Sequence, residues 1–296
     1  MVYINMKKTL WPMQLVRRFY KNIRRFVASG DEISELSRLI EENRLVVLKP
    51  HFQMNENEAA RMTVHEVVKD YLEVYRVLWL RRSKMEQLAM PTGVVLLRYP
   101  LALLIIPSEH NKYLKTVGAK TRNMIRKAEK EGYYFEEFDW NKHLDDIFKI
   151  NTSKDIRSAG AMAGWYRELV RPRHLTSEEQ FYQKYYGIFK EGHLWAYLNL
   201  VLCGDFGFFK HFIGHSDHLR NGIMNYLVSC TVQEYVGHSH IKFLSYGIFP
   251  AGSKGSTIDF RKHAGFEGYA TFLDLEDDQE LLQCSRRVRA RGLTNV

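Results

Sequence analysis

Four titratable side chains crowd a short stretch of this chain. His211, His215, Asp217 and His218 fall within eight residues. Histidine carries protons near neutral pH and also ligates metals, so the cluster reads as either a general base or a metal site. His211 and His215 would share a strand face, but the third histidine sits past a turn, and a zinc site needs ligands that converge in space. No metal is therefore expected. Arg122 and Arg126 lie one turn apart on a basic helix, where together they could grip a phosphate. Tyr246 ends an apolar run, and Arg261-Lys262 forms a basic pair near the C-terminus. No nucleophile elbow, phosphate loop or dinucleotide fingerprint is present. The three cysteines, Cys203, Cys230 and Cys284, show no metal-ligand or redox spacing, which leaves a reducing cytoplasm as the simplest home.

Positioning these groups requires a folded body, and 296 residues with 45% hydrophobic content suffice for one large domain or two small ones. The spacing predicts a basic amphipathic helix over residues 1–30 and a helical region over 31–95, with helices near 33–40 and 57–90. Val94 to Ile106 reads as one or two buried strands around a turn at Tyr99-Pro100. A domain boundary is expected near residues 90–110, with the main domain over 96–275 and an acidic, then basic, tail over 276–296. Within the main domain the pattern predicts helices over 108–131, 142–150, 177–191 and 219–235. Strands are predicted near 133–138 and 241–246, together with a hairpin of 194–200 and 206–213 turning at Cys203-Gly204-Asp205. Strand, hairpin, helix and strand imply an α/β or α+β fold, a mixed sheet with a crossover helix.

The net charge of +9 is unevenly placed. Residues 1–30 carry seven Lys/Arg and no acid, and the last twelve residues carry four arginines and no acid, which leaves 32 basic residues against all 34 acidic ones in the body. The body is no general polyanion binder. Its basic N-terminal helix either packs on the body or lies on an anionic membrane or RNA. No run reaches the roughly 18 apolar residues of a membrane span, and the start lacks the pattern of a signal peptide.

Three segments carry a resemblance. Arg122-Asn-Met-Ile-Arg-Lys-Ala-Glu-Lys-Glu-Gly132 resembles the basic helix of the FemAB-like acyltransferases, a branch of the GNAT superfamily that includes BioF2-like acetyltransferase domains. Gly204-Asp-Phe-Gly-Phe-Phe-Lys-His-Phe-Ile-Gly-His-Ser-Asp217, followed by Asn225-Tyr226-Leu227, is similar to their central hairpin, loop and following helix. Asp259-Phe-Arg-Lys-His-Ala-Gly-Phe266 is similar to their closing motif. The order of the three matches over residues 108–273, and it implies a GNAT-like sheet flanked by helices, with a second, degenerate lobe in the N-terminal region.

The resemblance further implies transfer of an acyl group from an activated donor to an amine, by direct attack in a cleft opened by splayed strands. The donor would be an acyl-CoA such as acetyl-CoA, held by Arg220, Asn221, Gly222 and Asn225 at the start of the helix after the hairpin, or an aminoacyl-tRNA. Met224 stands where a small residue is usual, which keeps both donors open. His215 or Asp217 would act as general base, Tyr246 would protonate the leaving group, and Arg261 or Lys262 would steady the reacting carbonyl. Arg122 and Arg126 would hold the substrate's phosphate. The acceptor would be a small-molecule or cell-envelope-precursor amine, with peripheral contact at the inner membrane surface through residues 7–28. A GNAT-like binding module without catalysis, docked to a membrane or RNA by the N-terminal helix, is the competing reading.

Overall fold

The computed structural model describes residues 38–39, 42, 44–48, 77–78, 94–97, 100–157, 160–238, 240–249 and 256–274. The expected basic helix over 1–30, nearly all of the helix over 57–90 and the C-terminal tail lie outside the described residues. Two short strands fall inside the stretch expected to be helical, β1 (Leu45–Leu48) and β2 (Val77–Leu78), while β3 (Val94–Leu97) opens the expected strand pair. Sheet pairing overrides the helical spacing there, since β1 lies parallel to the C-terminal strand and β2 pairs with β3.

β4 (Leu101–Ile105) follows Pro100 as the second strand of the predicted pair. The single helix predicted over 108–131 is two, α1 (His110–Thr116) and α2 (Ala119–Lys130), parted at Val117-Gly118. β5 (Tyr134–Glu137) and α3 (Leu144–Thr152) come next, then the two-residue strands β6 (Ile156–Arg157) and β7 (Gly160–Ala161).

The helix predicted over 177–191 is half right. Thr176 and Glu179 form a capping box that starts α4 (Ser177–Tyr182), but β8 (Gln183–Lys190) follows at once. Tyr185, Tyr186, Ile188 and Phe189 are all buried, and a segment buried on both faces between two partner strands gains more from the sheet than from continuing a helix. β9 (His193–Cys203) and β10 (Phe206–Gly214) form the predicted hairpin around Gly204-Asp205, where Gly204 has φ 54°. A 3₁₀ turn, Ser216–Asn221, leads into α5 (Ile223–Tyr235), then β11 (Phe243–Ile248), α6 (Ser256–His263) and β12 (Glu267–Asp274).

Among the described residues ten strands make one mixed sheet in the order β2-β3-β12-β4-β11-β10-β9-β8-β5, with β1 also on β12. The fold is α+β, a mixed sheet flanked by helices. Register assigns the helices to opposite faces. The Ala196–Gly214 pair faces α5, because a Cβ on Gly214 would stand 2.5 Å from Met224 Sδ. The adjacent Tyr197–Ile213 pair faces α3, where the Tyr197 hydroxyl donates to Asn151 Oδ1 at 2.7 Å. Each face buries its own core, one around Leu198, Leu200 and Leu227, the other around Trp140, Ile147 and Tyr197. Among the described residues no helix is long and apolar enough to cross a membrane.

Candidate functional site

The central feature is a parallel pair that comes apart. β10 pairs with β11 only over Phe206–Phe208 against Phe243–Ser245, yet β10 continues to Gly214 and β11 to Ile248. Two irregularities mark the parting. The β10–β9 ladder shifts between Phe209 and His211, and the β11–β4 ladder shifts between Ser245 and Ile248. The two strands therefore separate after Phe208 and Ser245.

Tyr246 stands just past the end of this pairing, its ring centroid 5.2 Å from Phe212 and 5.6 Å from Phe209. The Arg261 guanidinium lies 4.6 Å from the centroid of the Tyr246 ring, and its Nη1 donates to the Ile248 carbonyl. Burial raises the phenol's pKa and the arginine's charge opposes the rise, so Tyr246 is a neutral hydroxyl with a cation beside it. Lys262, the next residue, is exposed, and its Nζ lies 5.8 Å from the Phe249 ring centroid. Of the predicted basic pair, only Arg261 reaches Tyr246.

A second cluster closes the end of β10. The His215 amide donates to the Trp195 carbonyl at 2.8 Å, and His215 Nδ1 accepts from the Asp217 amide at 3.4 Å. Exposed Asp217 accepts from Ser216 Oγ at 3.0 Å. His218 stacks on Trp195 with centroids 3.7 Å apart, and its Nδ1 accepts from the Tyr133 hydroxyl, which accepts in turn from Asn221 Nδ2 at 3.0 Å. Burial, helped by the neighbouring His215, lowers the pKa of His218 and keeps it a free base. Trp195 and Tyr133 are the members of this cluster that sequence reasoning missed. Tyr133 lies 85 positions before His218, and no local spacing reports such a pairing. No hydrogen bond, ion pair or ring contact among the described residues joins this cluster to Tyr246.

The residues expected to cradle a diphosphate are engaged in packing. Gly222 has φ 83°, and a Cβ there would meet the Met124 carbonyl oxygen at 2.2 Å, so the glycine admits α2 against α5 rather than opening backbone to a ligand. Asn221 holds Tyr133, Asn225 is partly buried, and Arg220 is exposed with its carbonyl accepting from Lys127 Nζ at 3.1 Å. Arg122, expected to grip a phosphate, is engaged with backbone carbonyls. Its Nη1 donates to the carbonyls of Leu114 and Val117, closing the end of α1, because the turn at Gly118 brings those orphan carbonyls within reach. Arg126 is exposed, 3.5 Å from Asn123 Oδ1. His211 lies across the sheet from the Tyr246 side, and its Nδ1 is paired with the Tyr166 hydroxyl at 3.0 Å. Among the described residues no three His, Cys, Asp or Glu side chains gather as metal ligands.

Strand order, flanking helices and the parted parallel pair together define an α+β fold, a mixed sheet flanked by helices. The chain is similar in structure to the C-terminal domain of a putative lysylphosphatidylglycerol synthetase from Agrobacterium fabrum, at 14% identity and TM-score 0.37 over 80% of this chain and 78% of that one. It is similar to L-PGS from Bacillus licheniformis at 13% identity and TM-score 0.40 over 77% and 78% of the two chains. Its similarity to FemX is 12% identity and TM-score 0.44 over 76% and 78%. No protein-family description matches the sequence, and no curated protein matches it.

Proposed function

We propose that this protein is an N-acyltransferase, carrying an acyl group from an activated donor to an amine in the cleft between β10 and β11. The observation that carries the reading is the parting of that parallel pair after three residues, with a neutral Tyr246 and the Arg261 cation at the opening. An extended acyl chain with its carbonyl can lie between the separated strands. The amine nitrogen attacks the carbonyl carbon, and the C–N bond forms as the carbonyl π pair moves to oxygen. Collapse expels the donor's sulfur or ester oxygen, which takes the Tyr246 proton, while the nitrogen's surplus proton leaves to solvent or to a base at the end of β10. The charge of Arg261 favours the transient phenolate, so the phenol gives up its proton more readily than burial alone would allow.

The donor is an acyl-CoA or an aminoacyl-tRNA. Close packing at Gly222 favours a donor held without a glycine cradle, which puts weight on aminoacyl-tRNA. The acceptor class is an amine on a small molecule or a cell-envelope precursor. The test is native mass spectrometry of the protein titrated with acetyl-CoA, with a longer acyl-CoA and with charged tRNA, followed by transfer to a panel of amines. Saturable one-to-one binding of one donor is expected, with turnover lost in Tyr246→Phe and Arg261→Ala while binding persists. If no donor binds, or Tyr246→Phe turns over at the wild-type rate, the proposed chemistry is wrong.

A further inference from the structure

Asn199 is completely buried in the middle of β9, and among the described residues neither its side-chain oxygen nor its nitrogen has a hydrogen-bond partner. Its neighbours along the strand, Leu198, Leu200 and Val201, are apolar and equally buried. An amide left unsatisfied in such a place is costly, and a leucine would pack there without the cost.

Register gives Asn199 two cross-strand partners on its own face, Tyr185 of β8 and His211 of β10. Both belong to a polar network under the segment that follows β7. The Tyr166 hydroxyl is 3.0 Å from His211 Nδ1. Arg173 donates to the Tyr185 hydroxyl at 2.9 Å while its guanidinium lies 3.9 Å from the Trp140 ring centroid.

Two arginines stand on the same face. Arg157 donates to the carbonyls of Gly214 and Ile150 at 2.8 and 2.7 Å and to Ser153 Oγ at 3.1 Å, and its Nε is buried with no partner. Neither Arg157 nor Arg173 pairs with a carboxylate among the described residues. Asp155 is bound to Arg167, and Asp146 is taken by Lys149 and by the Leu194 amide. Glu137 and Asp139 are engaged by Lys184 and by the Asn141 amide respectively. Beside Arg173 and Tyr185 lies a cavity of about 630 Å³, also lined by Trp140, Gln183, Lys184 and the carboxylates Glu137 and Asp139. That volume suits a small molecule. From this cavity the row Tyr185, Asn199, His211 leads across the sheet to the point where β10 leaves β11.

We propose that Asn199, Arg173, Tyr166 and His211 form a binding site for a small ligand bearing a compact oxyanion, a carboxylate or a phosphate. The ligand enters through the cavity, displaces Arg173 from Tyr185 and takes up the Asn199 amide. The two guanidiniums supply the charge preference, and the orphan amide supplies directionality. The site does not rest on the transfer chemistry.

Isothermal titration calorimetry of the full-length protein tests it, with N-acetylglycine and inorganic phosphate as probes and uncharged N-acetylglycinamide as control. Saturable binding of one of the two anions is expected, and which one binds distinguishes the two ligand sources. Binding should weaken at least tenfold in Arg173→Gln and in Asn199→Leu, the latter with an unchanged or raised Tm. Should Asn199→Leu fail to fold, Asn199→Ala serves, since it removes the amide without adding volume or charge. The proposal is overturned if neither anion binds, if the amide control binds as well as the anions, or if binding survives Arg173→Gln and the Asn199 variant unchanged.

Discussion

His211 shows how one side chain couples the site to stability. Its ring is enclosed between the sheet and Tyr166, and burial, together with the nearby cations Arg173 and Lys210, pushes its pKa from 6.5 down to about 4. The unfolded chain therefore binds a proton more readily than the folded one. The neutral ring's full contribution is present above pH 6.5, and it is lost as the pH falls toward 4. By pH 4.5 the loss amounts to about 2–3 kcal/mol. His110 and His218 are displaced in the same direction by burial, so acid stability is set by several histidines and not only by carboxylates. In chemical denaturation at pH 7 and pH 4.5, His211→Gln is expected to lose about 2 kcal/mol less than the wild type over that interval. Equal losses in the two proteins would show that the ring titrates as it does in the unfolded chain.

At the scale of elements, the α2–α5 contact depends on one glycine. Gly222 combines a left-handed φ of 83° with the Met124 carbonyl where a Cβ would sit, and α2 packs on α5 through this approach. Gly222→Ala is expected to destabilise by about 2–4 kcal/mol in denaturant unfolding. Gly222→Asn separates the two causes. Asparagine tolerates the left-handed region but still clashes with the carbonyl, so it should not rescue, and a rescue would assign the cost to φ alone. This contact also explains what the sequence made legible. The β9–β10 hairpin was readable because Gly204-Asp205 sits between two apolar runs, and the local signal agrees with the global fold. β8 was not, since the capping box at Thr176 announces a helix and only pairing with β5 and β9 stops it after Tyr182. Gly222 read as a ligand cradle because a glycine looks the same beside a diphosphate and beside a helix. The parted strands were anticipated through the resemblance, whereas Asn199 was invisible: a lone amide in an apolar run has no periodicity, and its meaning lies in partners on two other strands.

On the scale of the whole molecule, the body between Asp31 and Cys284 carries a small acidic excess while the chain ends carry eleven unbalanced cations. If the acceptor is part of an envelope precursor, the cleft must reach an anionic lipid surface that the body itself does not attract. The N-terminal segment can supply that attraction. Near such a surface each Lys or Arg contributes about 1 kcal/mol, and the effect decays within a Debye length of about 8–10 Å at moderate salt. The seven cations of residues 1–30 are enough for reversible docking. Reversing three of them, as Lys21→Glu, Arg24→Glu and Arg25→Glu together, removes three attractions and adds three repulsions, a swing of up to about 6 kcal/mol. In co-sedimentation with phosphatidylglycerol vesicles, the full-length protein is expected to bind at low salt and to release as salt rises, and the triple variant to stay in solution throughout. Binding to donor and amine in the absence of vesicles should be the same for both proteins, because the cleft lies elsewhere in the chain. If the triple variant instead pellets like the wild type, the basic segment does not dock the protein. If it loses stability without vesicles, that segment packs on the body, and the acceptor must then be sought among soluble amines.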